Sequence, residues 1–273
     1  MLLLHEKRDK MSVYICPVCK APLLRDGNTM RCASNHCFDV AAKGYVNLLG
    51  PGKSSRGDDS DMVSARKRFL SAGYYSPLCD ALCEIVSKTP YETLLDAGCG
   101  EGYYTKRICD ISNKEIYGLD ISKKAAEKAS SLCKSAQICV ASAYDMPYAD
   151  NSFDIIVNVF SPLAIDEYKR VLKSDGHLIM AVPSPEHLKE LKQAVYDSVY
   201  VKEMKDTALD GFILNESKSV EFVMELDNAY LKDLFMMTPY YHKTGEADKK
   251  KLDSIEKLSV TASFVIFDYI MRG

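Results

Sequence analysis

Residues 95–102 read Leu-Asp-Ala-Gly-Cys-Gly-Glu-Gly, and no other stretch constrains the fold as tightly. The apolar run Thr93, Leu94, Leu95 ends in Asp96, after which Gly98, Gly100 and Gly102 occupy alternate positions. Tyr103-Tyr104-Thr105-Lys106 continues without Pro or Gly, as a helix does. A strand that breaks into a glycine-rich turn and then opens a helix brings backbone close to a nucleotide-like ligand, with no side chain in the way. The spacing is G-x-G-x-G and not the G-x-G-x-x-G of a dinucleotide fold, which favours S-adenosylmethionine over NAD.

Asp120 stands twenty positions beyond Gly100, at the end of Ile116-Tyr117-Gly118-Leu119. A carboxylate at the end of a second strand can accept hydrogen bonds from both ribose hydroxyls of an adenosyl group. Together, the glycine turn and Asp120 resemble those of class I methyltransferases. The pattern then keeps alternating: an Ala-rich helix over 123–134, strands over 137–141, 154–159 and 177–182. Strands alternating with helices imply an α/β, Rossmann-like, mostly parallel sheet that binds its ligand at the carboxyl ends of the strands. Strand character at 220–226 and 263–267 fits the sixth and seventh strands of a seven-stranded class I sheet.

Ahead of this domain, Cys16-Pro17-Val18-Cys19 is followed by Cys32 and His36, a C-x2-C-x12-C-x3-H pattern. Thiolates and imidazole suit Zn²⁺, and a four-ligand site leaves no open position for catalysis, so the metal is structural. Metal binding would supply the folding energy of so short a segment. Cys37 offers an alternative fourth ligand, but the x3 spacing favours His36. Cys79, Cys83, Cys99, Cys109, Cys133 and Cys139 lie in apolar or helical contexts and read as small packing residues.

The residues divide into an amino-terminal zinc domain over 1–49, a linker over 50–61 and a methyltransferase domain over 62–273. Residues 1–11 form a possible extension, with Met11 a second candidate start. The linker, Gly-Pro-Gly-Lys-Ser-Ser-Arg-Gly-Asp-Asp-Ser-Asp, lacks apolar periodicity. Asp61 is placed to cap a helix that ends near Gly73 and carries the basic run Arg66-Lys67-Arg68. No apolar stretch is long enough to span a membrane. Ten cysteines without a secretory signal point to a metal site in the reducing cytoplasm, not a disulfide framework. Net charge is −3, but residues 1–74 hold 12 Lys/Arg against 7 Asp/Glu, which is +5 and leaves −8 for the rest. A basic front end on an acidic body would localise phosphate contacts there.

Several segments together resemble the 23S rRNA (guanine-N1)-methyltransferases. They are His36-Cys37-Phe38-Asp39, Gly44-Tyr45-Val46-Asn47-Leu48-Leu49, Arg66-Lys67-Arg68-Phe69-Leu70, Ala72-Gly73-Tyr74-Tyr75, residues 96–105, Val140-Ala141-Ser142 and Met237-Thr238-Pro239-Tyr240. The resemblance implies methylation of a guanine N1 in a hairpin loop of 23S rRNA, by a homodimer whose zinc domains help grip RNA. It also implies cofactor contacts at Tyr75, Gly100, Glu101 and His187, beside Asp96, Gly98, Gly102 and Asp120 of the motif. On the sequence alone, Tyr75 reads as a half-buried aromatic. His187 reads as a solvated residue in the first turn of a helix capped by Ser184 with Pro185 at its start. One departure concerns the adenine side: where many class I enzymes place an acid, five positions before Pro147, this chain has Ser142, a cofactor-binding candidate whose hydroxyl can accept the same hydrogen bond. Asp145 lies two positions before that proline.

Phe160-Ser161-Pro162, after the fourth strand, should face the methyl group and frame the target base. Phe160, Tyr75 and Tyr144 are candidates for stacking on it, with core packing the default for Phe160. Asp166 and Glu167 lie just beyond, Glu167 equally suited to a structural place before Arg170; no catalytic base is assigned. Two other readings fit the same residues: a methyltransferase for a small molecule or protein, and a non-enzymatic RNA-binding protein that kept the fold.

Overall fold

The computed structural model describes residues 13–50, 52, 60–198 and 207–272. The expected extension over 1–11, with Met11, and most of the linker lie outside them. Two sheets organise the chain. The first is a small antiparallel sheet of β1 (Leu24–Asp26), β2 (Thr29–Arg31) and β3 (Cys37–Asp39), in that order. Its first hairpin turns on Gly27-Asn28, pairing Asp26 with Thr29.

The second sheet holds β4 (Val46–Asn47), β5 (Thr93–Ala97), β6 (Glu115–Asp120), β7 (Gln137–Val140), β8 (Phe153–Val159), β9 (Leu172–Pro183), β10 (Phe212–Asp227) and β11 (Lys257–Met271). Their order is β10-β11-β9-β8-β5-β6-β7-β4. Neighbours from β4 to β9 run parallel, whereas β11 is antiparallel to both β9 and β10. The seven expected strands are all present, and β4 adds an eighth to the edge beside β7. Val46-Asn47, grouped with the zinc domain on sequence, therefore belongs to the large sheet.

Helices α1 (Ser60–Ser71), α2 (Ser76–Lys88), α3 (Tyr103–Ile111), α4 (Lys123–Leu132), α5 (Ile165–Val171), α6 (Lys189–Val195), α7 (Asn228–Met236) and α8 (Glu246–Lys250) complete the fold. Alternation along β5 sends Leu94 into a core shared with α1, α2, α3, α6 and α7, and Leu95 to the opposite face. That second face is covered differently. The chain from β7 to β8 crosses it without a helix, carrying Met146 and Tyr148 into the core. Val13–Ile15 runs beside this crossing: the Ala149 N–H donates to Val13 O (2.8 Å) and the Ile15 N–H to Pro147 O (2.9 Å). Tyr14 packs its ring 5.2 Å from Tyr148 and 5.8 Å from Tyr117. The amino-terminal segment thus fills a layer that a crossover helix usually occupies.

Two local expectations shift. Asp61 lies within the first turn of α1, since the helix starts at Ser60. The helix expected from Pro185 starts only at Lys189, because Leu188 adopts a left-handed backbone (φ 56°) and breaks the turn before it. Among the described residues, no helix is long and apolar enough to cross a membrane.

Candidate functional site

The glycine turn is tied down by β6. The Gly98 and Cys99 N–H groups both donate to Leu119 O, at 2.7 and 3.0 Å. The Gly100 N–H donates to Asp120 Oδ2 (2.9 Å), and the Ser122 N–H to Asp120 Oδ1 (2.7 Å). Asp120 therefore shapes both the turn and the start of α4.

The three glycines answer to different neighbours. A Cβ at Gly100 would meet nothing within 4 Å, so open space stands over the turn there. At Gly98 a Cβ would fall 2.1 Å from Ser161 Oγ, and at Gly102 it would fall 2.9 Å from Ala129 Cα of α4. Of the three, only Gly100 has open space over it; the other two admit protein.

Asp96 is buried and accepts a hydrogen bond from Thr105 Oγ1 (2.6 Å), which joins β5 to α3. Burial, partly offset by Thr105 and reinforced by the Asp120 charge, pushes its carboxyl up to about 7. Glu101, 5% exposed, has no hydrogen-bond partner at either carboxylate oxygen among the described residues. Burial raises its pKa against the pull of Arg66. Tyr104 Oη and Ser184 Oγ are likewise buried without partners there. Orphaned buried polar atoms are rare in folded proteins and mark a place for a ligand or water.

Ser142 directly follows Ala141, whose N–H donates to Asp120 O (3.0 Å). Asp145 is held by Lys20 Nζ of the first cysteine knuckle (2.8 Å), which ties it to the ribbon.

Tyr75 is buried, 4% exposed, and not half-buried. Its ring lies 5.2 Å from those of Phe69 and Phe264, and burial raises its hydroxyl pKa. His187 is not the solvated helix residue expected. Its ring lies 4.4 Å from Phe264, and its Nδ1 accepts from the Ser263 N–H (3.2 Å). Burial lowers its pKa to about 3, so the ring is neutral and its proton sits on Nε2. Phe264 thus brings Tyr75 and His187 to one place; in the sequence it was only one residue of a strand.

Phe160 also departs from expectation, remaining 48% exposed beside that cluster. Glu167 is structural: it accepts from Arg170 (2.7 and 2.8 Å) and from the Met146 N–H (2.6 Å), and its pKa is held low. In the basic run, Arg68 is committed to Asp233 through Nε (2.9 Å) and Nη2 (2.5 Å), joining α1 to α7.

At the amino terminus, the ligand atoms of Cys16, Cys19, Cys32 and His36 lie within 4.8 Å of one another. His36 Nδ1 is 3.5 Å from Cys16 Sγ and 3.4 Å from Cys32 Sγ, and Cys19 Sγ is 3.6 Å from Cys32 Sγ. Tetrahedral bonding at ordinary Zn–S and Zn–N lengths sets ligand separations of about 3.5–3.8 Å, so the donor set fits zinc. Two matching knuckles create it, the Lys20 N–H donating to Cys16 O (2.8 Å) and the Asn35 N–H to Cys32 O (2.9 Å). Cys37 is exposed and turns away, its thiol donating to Asn35 O (3.2 Å).

The sheet order, the glycine turn and Asp120 define a class I, S-adenosylmethionine-dependent methyltransferase with an amino-terminal zinc ribbon. A family model described as a methyltransferase domain matches residues 88–253, and one described as RlmA, N-terminal, a zinc ribbon, matches residues 14–56. YxjB of Bacillus subtilis, which its name provisionally assigns as a 23S rRNA (guanine-N(1)-)-methyltransferase, is 35% identical over 84% of this chain and 86% of its own. The 23S rRNA (guanine(748)-N(1))-methyltransferase of Streptomyces fradiae is 35% identical over 66% of each chain. The chain belongs to the 23S rRNA (guanine-N1)-methyltransferase family.

Proposed function

We propose that this protein methylates N1 of a guanine in a hairpin loop of 23S rRNA, acting as a cytoplasmic homodimer. The observation that carries the reading is the fusion of the ribbon with the cofactor sheet. Through β4, Tyr14 and Lys20, the ribbon is built onto the β7 side of the sheet, against the loop that carries Ser142 and Asp145. A metal-held module fixed beside that loop, with Lys20, Arg25, Arg31 and Lys43 against Asp26 and Asp39, suits a phosphate-bearing acceptor better than a small molecule. The names of the relatives support the same substrate.

In this reading Cys16, Cys19, Cys32 and His36 hold zinc. Asp120, at the end of β6 beside the glycine turn, accepts the ribose hydroxyls. Gly100 leaves room for the adenosyl group, and Ser142 offers a hydroxyl on the adenine side. Asp96 braces the turn through Thr105, and Glu101, Tyr75 and His187 border the methionine portion. Bound S-adenosylmethionine supplies an electrophilic methyl for in-line attack by a ring nitrogen, where alignment provides much of the acceleration. The guanine N1 proton must also leave. His187 is too weak a base to take it, and Glu167 is locked by Arg170.

The test is transfer of tritiated methyl from S-adenosylmethionine to unmethylated 23S rRNA, with mass spectrometry of the digested nucleosides. N1-methylguanosine is expected with the wild-type protein and not with Asp120→Ala. Cofactor binding without any label in RNA would sink the reading. Light scattering across a concentration series checks the dimer.

A further inference from the structure

Phe160 follows directly on β8 with a left-handed backbone (φ 57°). For a bulky L-residue this conformation crowds Cβ against the carbonyl oxygen, and it persists only where the surroundings hold it. Strain of this kind clusters at active sites and ligand clamps, and almost half of the Phe160 surface stays open.

The loop is held by its neighbours on both sides. Ser161 is wedged against Gly98, where any Cβ would collide with it. Pro162 O accepts from Asn158 Nδ2 (3.2 Å) and from Tyr168 Oη (3.1 Å). The Phe160 ring rests on Phe264 (5.4 Å) and meets Tyr75 edge-on (6.5 Å). Its support is therefore rigid on one side. Tyr75 is too deeply buried to offer a face.

We propose that Phe160 is the platform on which the target guanine stacks while its N1 meets the methyl group. A base drawn out of a loop loses its stacking partners, and an aromatic face held next to the glycine turn restores one. The proposal rests on the rRNA reading above. Because most RNA affinity comes from phosphate contacts, losing the platform should reduce turnover far more than RNA binding.

Three variants test it: Phe160→Leu keeps bulk without a ring, Phe160→Tyr keeps the ring, and Phe160→Gly relaxes the backbone. Turnover on 23S rRNA should fall about ten- to a hundredfold in the Leu and Gly variants and be retained by Tyr. The dissociation constant for S-adenosylmethionine should stay within about twofold throughout, and the Gly variant should still unfold cooperatively. Full turnover by Phe160→Leu would overturn the proposal. So would a loss of cofactor affinity that parallels the loss of turnover, since the ring would then serve the cofactor. Failure of the wild-type protein to label RNA is a different result, which strikes the rRNA reading itself.

Discussion

Asp96 carries its proton to unusually high pH because the folded protein hides it from water. Its carboxyl titrates near 7 when folded and near 4 when unfolded, so the folded state binds more protons between those values. Stability should therefore fall as pH rises through that window, by up to about 1.4 kcal/mol per pH unit. Asp96→Asn should flatten this slope in urea unfolding measured from pH 5 to 7; an unchanged slope would refute the assignment. Gly98 makes a steric claim instead. Gly98→Ala should cost about 1–3 kcal/mol through collision with Ser161, and Ser161→Gly should recover part of it in the double variant. Both residues were legible as members of a cofactor motif, but their separate duties were not. Periodicity reports glycine where backbone must be bare without saying whether ligand, serine or helix fills the space. His187 eluded its local signals for a related reason: Ser184 and Pro185 promise a helix start, but the ring's contact with Phe264 lies across a long sequence separation.

Helix α1 carries a basic run that invites an RNA contact, yet its third member has a structural partner. Asp233 is almost fully buried, and Arg68 reaches it with two nitrogens. Arg68→Met should destabilise the protein by about 1–3 kcal/mol, because it leaves a buried carboxylate unpaired. RNA affinity at fixed salt should not change, as a filter-binding titration can check. The strands were better exposed in the sequence than the helices were, since alternating or continuous apolar runs survive any local irregularity. Where β9 was cut short, the cause is its polar Lys173-Ser174-Asp175-Gly176 stretch. Phe153 pairs with Leu172, but Ile155 already pairs with His177, so these residues are accommodated as an irregularity in one strand. Pairing partners override local polarity there, and one sequence shows none of them.

Metal and cofactor sites share one apolar core. Cys16 and Cys32 are buried with Ala141 and Met146, on the loop that includes Ser142. Stripping zinc should lower the melting temperature and also weaken S-adenosylmethionine binding several-fold, measured calorimetrically on the chelated protein. Unchanged cofactor affinity would show the two sites to be independent. The ribbon's zinc pattern was plain in the sequence, because four ligands at fixed spacing need no tertiary context. Its union with the catalytic sheet was hidden, since Tyr14 and Tyr148 meet across more than a hundred residues. β4 hydrogen-bonds along β7, with Val46 opposite Cys139 and Asn47 opposite Val140. Without that two-residue strand, a parallel sheet would present a raw border to any passing chain. If loss of zinc also freed β4, a cell short of the metal would lose this protein to clumping, with molecules joining border to border, on top of its loss of cofactor affinity.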